Sequence, residues 1–94
     1  MEPLYRLDNT RFAVRREAFG SLLLCRRTFA VSAVAPLAAM ALEICHQPTG
    51  RRDLVARLAA SQDAEYVEVD DAVGAFLERM VESGVLVVNR EERT

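Results

Sequence analysis

The sequence contains no lysine, no tryptophan, one histidine, two cysteines and four glycines among its 94 residues. The isolated glycines form no phosphate-binding loop, and His46 is not accompanied by a nucleophile that it could activate. Cys25 and Cys45 lack the further ligands that a zinc site requires. We therefore expect no catalysis, no metal, no cofactor and two free, buried thiols, because reduced cysteine behaves as a small hydrophobe.

Long apolar runs are also absent. A membrane-spanning helix needs roughly 20 apolar residues, whereas the longest candidate, residues 31–42, is shorter and contains Pro36. Residues 1–6 lack the basic and then apolar order of a secretion signal. These absences predict a cytoplasmic protein without a membrane partner.

Apolar residues make up 51% of the chain, which is enough to form a folded core. A length of 94 residues is near the commonest size of a single domain. We predict one domain over residues 1–94, with a flexible lead-in over 1–10, the functional fold over 11–89 and a charged tail over 90–94.

The charges are unevenly distributed along the chain. Residues 1–31 hold six arginines against three acids (+3), residues 32–62 three against two (+1), and residues 63–94 three against nine (−6). The domain is polarised rather than basic, so its composition does not indicate binding to nucleic acid.

Three short strands are predicted near the N-terminus, over residues 12–15, 18–25 and 28–31. Each is rich in β-branched, aromatic or aliphatic residues, and Gly20 suggests a bulge or a close backbone approach. Their short connections predict an antiparallel meander, which needs helices on one face to be stable.

Three helices are predicted to follow. Ser32 is expected to cap the first, which begins at Ala33 or Ala35 and ends at Cys45, with Pro36 in its first turn.

The second helix is expected over residues 51–60, the third from 69 or 70 to 83, and a short final strand or extended tail over 85–88. The fold class is therefore α+β: an N-terminal three-stranded antiparallel sheet, three helices and a short C-terminal strand. This is the outline of a winged helix-turn-helix domain.

The last predicted helix has a mixed flank beside its buried stripe. On a helical projection, Val73, Leu77 and Met80 face the core, while the flank contains a large aromatic, a small residue and a cation. Phe76 either completes the core or forms the wall of a groove. If residues 27–31 form a sheet edge beside this flank, their free N–H and C=O groups are a template for an added peptide strand.

Two segments resemble the PqqD-like peptide chaperones, the recognition elements of pathways that modify ribosomally made peptides. They are residues 12–24 (FAVRREAFGSLLL) and 73–86 (VGAFLERMVESGVL). Within this family, VRREAFG at 14–20 and RRTF at 26–29 are most similar to the mycofactocin-pathway chaperones. The resemblance covers roughly residues 5–89.

The resemblance implies that the domain binds the leader region of a precursor peptide as an extra antiparallel strand on its third strand, against its last helix. It also implies presentation of the peptide to a maturase, which is a radical S-adenosylmethionine enzyme in mycofactocin-type pathways. We expect a monomer. The peptide-binding residues carried over by position are Arg27, Thr28, Phe29, Ala30 and Val31 on the strand, and Ala72, Phe76, Arg79, Met80 and Ser83 on the helix.

Two other functions compete with this one. A winged-helix regulator would place a helix in the major groove of DNA, but the helix over 69–83 carries four acids against Arg79 alone. The helix over 51–60, with three arginines against Asp53, would have to read the bases instead. The third possibility is a structural subunit that docks on a larger enzyme and binds no peptide. We favour the peptide chaperone, with no nucleic-acid partner.

Overall fold

The computed structural model describes residues 2–89, which form six strands and three helices. The strands are β1 (Leu4–Leu7), β2 (Phe12–Glu17), β3 (Gly20–Cys25), β4 (Val31–Val34), β5 (Thr49–Gly50) and β6 (Leu86–Asn89). The helices are α1 (Pro36–Ile44), α2 (Arg51–Gln62) and α3 (Tyr66–Glu82). The strands make two three-stranded antiparallel sheets, ordered β2-β3-β4 and β5-β1-β6.

The first two predicted strands are present as the hairpin β2–β3. Its last pair is Glu17 with Gly20, so the loop has only two residues. Gly20 has a φ of 144°, a conformation that side-chain-bearing residues rarely adopt. The glycine is therefore required by the way the chain leaves this turn.

The third strand lies three residues later than predicted. The predicted strand over 28–31 is wrong, because residues 26–29 close a turn in which Phe29 N–H donates to the carbonyl of Cys25 at 2.8 Å. Phe29 has a φ of 61°, in the left-handed region that a strand residue cannot occupy. Strand β4 therefore begins only at Val31.

The second sheet was not predicted. A flexible lead-in over residues 1–10 is wrong for Leu4–Leu7, which forms the central strand between β5 and β6. Leu7 pairs with Leu86, and both are almost completely buried. Because the partners of β1 lie more than 40 residues away along the chain, four residues of local pattern do not reveal it. The predicted final strand is confirmed as β6.

The first helix starts later than its predicted cap. Ser32 as N-cap is wrong, since Ser32 lies within β4 and the N-cap of α1 is Ala35, which makes no side-chain capping bond. Pro36 occupies the first turn as predicted, where its missing N–H costs little. The helix ends at Ile44, one residue before the predicted end.

The other two helices are longer than predicted. The second extends to Gln62, and the third starts at Tyr66. Tyr66 and Val67 are 43% and 72% exposed. They therefore lie outside the buried apolar stripe from which the helix was predicted. The α+β class with three helices is confirmed. The N-terminal three-stranded antiparallel sheet is present as β2-β3-β4 beside a second sheet that was not predicted, and the winged helix-turn-helix outline is not confirmed.

The core lies between the helices and the inner faces of the sheets. Its fully buried large side chains come from α1 and its C-cap, from α2 and from β6, namely Leu42, Cys45, Leu54, Val55, Leu58 and Leu86, and α3 adds Val73 and Leu77 at 3% exposure each. Each buried Leu or Val contributes about 1.5–3 kcal/mol relative to an exposed position. The buried stripe of α3 is as predicted for Val73 and Leu77, while Met80 is half-buried.

Candidate functional site: a free sheet edge beside an apolar groove

Strand β4 is an edge of its sheet, because the order β2-β3-β4 leaves one side of it without a partner strand among residues 2–89. Cys25 N–H donates to the carbonyl of Ala30 at 2.9 Å, which makes these two residues a hydrogen-bonded pair. Hydrogen-bonded and non-hydrogen-bonded pairs alternate along an antiparallel ladder. It follows from the register that Val31 and Ala33 direct their N–H and C=O groups away from β3.

An apolar groove lies between α1 and α3, with α2 at its floor. We refer to it as the α1–α3 groove, a cavity of about 160 Å³. Its lining residues are Leu37, Ala38 and Ala41 of α1, Leu58 of α2, and Ala72, Val73, Phe76 and Arg79 of α3.

Phe76 takes part in both the core and the groove. It is half-buried, packs against the core cluster and lines the groove, and its role in binding a peptide stays a prediction. Ala72 and Arg79 lie one turn to either side of it on the same helical face. The small Ala72 leaves open space and the exposed Arg79 places a cation at the groove.

The free edge and the groove are adjacent in the chain. Strand β4 ends at Val34, which packs against the core, and Leu37 lines the groove three residues later. Three extended residues span at most about 11 Å. A segment paired with β4 therefore lies within reach of the groove.

The other two predicted helix residues are placed differently. Met80 packs against the core, and Ser83 is the C-cap of α3, where its hydroxyl donates to the carbonyl of Met80 at 3.2 Å. Neither lines the α1–α3 groove.

Among the predicted strand residues, only Val31 belongs to β4. Arg27 and Thr28 lie in the turn, Phe29 is left-handed, and Ala30 connects the turn to the strand. The missed edge residues are Ser32, Ala33 and Val34. Their signal was weak, because a serine before an alanine-rich segment is also the pattern of a helix start.

The charges of the helices are unfavourable for a nucleic-acid surface. Helix α3 carries five acids against one arginine. On α2, Arg51 forms an ion pair with Asp70 at 2.9 Å, and Arg57 forms one with Asp53 at 3.4 Å. These arginines already have acidic partners, which reduces the charge that could neutralise phosphates.

The two thiols have different environments, and both are free. The hydroxyl of Thr28, together with the backbone N–H groups of Thr28 and Arg27, lowers the pKa of Cys25. Burial raises the pKa of Cys45 to about 11. Within residues 2–89, no three His, Cys, Asp or Glu side chains cluster in a way that could hold a metal ion. In the same region, no helix has the length and apolarity needed to cross a membrane.

Comparison with known proteins identifies the fold. No family model and no curated protein matches the sequence. The fold does match a solved structure, the solution NMR structure of the PqqD truncation of Methylobacterium extorquens PqqCD. That protein is described as a functional, stand-alone recognition element for ribosomally synthesised and post-translationally modified peptides.

The match has a TM-score of 0.73 and covers 89% of this chain and 88% of the other, at 15% sequence identity. The chain has a PqqD-like fold. At this level of identity the likeness establishes the fold alone. The more specific similarity to mycofactocin-pathway chaperones stays a prediction from the sequence.

Proposed function

We propose that this protein is a non-catalytic peptide chaperone that binds the leader region of a ribosomally made precursor peptide. The observation that carries the proposal is the free edge of β4 next to the α1–α3 groove, in a fold like that of a known recognition element. The bound leader would form a fourth strand of the first sheet.

Backbone and side chains would contribute differently to this binding. The outward N–H and C=O groups of Val31 and Ala33 would pair with any extended peptide and give affinity without selectivity. Alternate side chains of the peptide would point towards the groove, where an apolar one would pack on Phe76. An acidic leader residue would be attracted by Arg79 or Arg27, both of which are exposed.

The pathway is the more specific part of the proposal. The likeness of residues 14–20 and 26–29 to the mycofactocin-type chaperones supports a mycofactocin-type precursor as the cargo. The partner that receives the peptide would then be a radical S-adenosylmethionine maturase, and the iron–sulfur chemistry would belong to that partner.

A titration with a synthetic leader peptide of a mycofactocin-type precursor tests the proposal. Ala33→Pro removes an N–H that the sheet itself does not use, and proline is tolerated at sheet edges. We expect it to weaken binding about tenfold, the equivalent of one lost hydrogen bond, whereas Ala33→Val should bind like the wild type.

Phe76→Ala tests the groove side of the same site. It should weaken binding at least as strongly, because the groove loses its largest apolar surface. Val67→Ala, at a 72% exposed position of the same helix, is the matched control. Wild-type affinity in both Ala33→Pro and Phe76→Ala, with the fold checked by circular dichroism, would exclude the proposed site.

A further inference from the structure

The two faces of the first sheet have different surroundings. Side chains on its inner face, including Val14, Leu23 and Val34, pack against the core, and Arg16 on this face is bonded to Glu43 of α1 at 2.7 Å. Helix α1 therefore covers the inner face. By the alternation of strand side chains, the opposite face carries a second apolar set. We call it the outer sheet face, and it consists of Ala13, Leu22, Leu24, Val31 and Ala33.

The composition of the outer sheet face is unusual for a surface. An antiparallel sheet with one covered face normally carries polar residues on the other. Here Leu22 lies between Arg15 and Ala33, and Leu24 lies between Ala13 and Val31, so that one of the six positions in these two rows is charged. None of the five residues packs against the core cluster, and Val31 is 55% exposed. Val31 and Ala33 are exposed, and Ala13, Leu22 and Leu24 are half-buried. A contiguous apolar set that reaches the surface in this way is typical of sites of protein association.

The turn at one end of this face exposes an aromatic side chain on a residue whose backbone conformation is energetically unfavourable. Phe29 is 79% exposed and has a φ of 61°. Glycine or asparagine would fit this position with less strain. Strained backbone carrying an exposed, unused side chain is typical of binding sites, and Phe29 is only two residues from Val31.

The charge and the size of the face restrict its partner. Arg26 and Arg27 are exposed in the same turn, while at the other end Arg15 is paired with Glu17 at 2.7 Å. The border is therefore cationic. Three strands of this length cover roughly 300 Å², well below the 800 Å² or so per partner of a stable interface. A transient complex with an acidic surface fits better than a stable dimer that would bring two cationic borders together.

We infer that the outer sheet face is a docking surface for a partner protein with an apolar patch bordered by carboxylates. The identity of this partner rests on the proposed function: it is the enzyme that modifies the bound peptide. Val31 and Ala33 supply backbone groups to the peptide edge and side chains to the outer sheet face. A peptide strand added to β4 would thus extend the surface on which the enzyme docks, so leader and enzyme should strengthen each other's binding.

Binding of a purified mycofactocin-type maturase holoenzyme tests this inference, with leader binding measured separately. The double variant Leu22→Thr/Leu24→Thr keeps β-forming residues and makes the face polar. We expect enzyme binding to fall at least tenfold and the dissociation constant for the leader to stay within twofold. Arg27→Glu should weaken enzyme binding in low salt more than in high salt. Val67→Thr, at an exposed apolar position of α3, is the control and should change neither.

The outcomes separate the inference from the proposed function. Wild-type enzyme binding in the double variant, with leader binding intact, would overturn the docking surface and leave the chaperone function standing. If the wild type binds neither leader nor enzyme, both fail. A dimer in sedimentation equilibrium that dissociates in the double variant would overturn the inference in favour of a second copy as the occupant.

Discussion

The guanidinium of Arg51 occupies the space where a side chain at Gly74 would begin. A Cβ atom at Gly74 would lie 2.7 Å from Nη2 of Arg51. The same arginine donates from Nε to Oδ1 of Asp70 at 2.9 Å and from Nη2 to the carbonyl oxygen of Asp70 at 3.1 Å. A glycine inside α3 therefore makes room for a cation that joins the start of α2 to the helix that forms the groove wall.

This relationship predicts that Gly74→Ala has different effects in two backgrounds. Alanine in a helix interior is favoured over glycine by about 1 kcal/mol, but the new methyl group would displace Arg51 and weaken an exposed ion pair of about 0–1 kcal/mol. We expect a gain in unfolding free energy below about 0.5 kcal/mol in the wild type and of about 1 kcal/mol in Arg51→Ala. Urea unfolding of the four proteins measures the coupling; equal gains in both backgrounds would show that Arg51 is not constrained by Gly74.

Phe29 should be a position where the native residue is not the most stable one. A left-handed conformation costs a residue other than glycine roughly 1–2 kcal/mol, and asparagine adopts it more readily. Since Phe29 is 79% exposed, Phe29→Asn loses little buried area and should raise the unfolding free energy by about 1 kcal/mol. Phe19→Asn is the matched control, because Phe19 is 77% exposed and has no positive φ. Similar changes in the two variants would contradict the strain at Phe29.

Three of the five helix residues predicted for the candidate site line the groove, whereas only one of the five predicted strand residues, Val31, lies in β4. The turn-by-turn spacing of Ala72, Phe76 and Arg79 is a local property of one helix, so a projection places them on one flank without knowledge of the fold. The edge strand depends on the left-handed Phe29, which no pattern marks because phenylalanine is favoured in strands. The strand was therefore predicted three residues too early.

The second sheet illustrates a different limit. Its central strand, Leu4–Leu7, pairs with residues near 50 and near 88, and only those contacts make a short N-terminal segment ordered. The outer sheet face was also invisible, because an alternating strand pattern shows that two faces exist but not that both are apolar.

The two cysteines should react at different rates with a thiol reagent. The thiolate is the reactive form; the pKa of Cys25 is lowered and that of Cys45 is raised to about 11. Cys25 is also partly exposed, whereas Cys45 is buried. With iodoacetamide at neutral pH, peptide mass spectrometry should find Cys25 modified first, and Cys45 only when urea is added. Thr28→Val should slow the reaction of Cys25, because it removes the hydroxyl that lowers the pKa; an unchanged rate would exclude that role.

The buried thiol of Cys45 should make the stability of the protein fall in alkaline solution. Its pKa is about 11 in the folded chain, against an ordinary value of 9.0 for a cysteine thiol in an unfolded one. A group with a raised folded pKa contributes stability that is complete below the unfolded pKa and is lost as the pH rises through the folded pKa. The unfolding free energy should decline between these two values by up to about 1.4 kcal/mol per pH unit.

Urea unfolding from pH 8 to pH 11 under reducing conditions measures this decline. Cys45→Ala should be less stable at every pH, since it leaves a cavity in the core, but its stability curve should be flatter than that of the wild type over this range. Cys25→Ser is the control: it should retain the alkaline decline because Cys45 is still present, and the decline should be steeper at the lower end of this range, where the lowered pKa of Cys25 opposes it. A slope in Cys45→Ala as steep as in the wild type would show that the alkaline loss arises from other groups and not from the buried thiol.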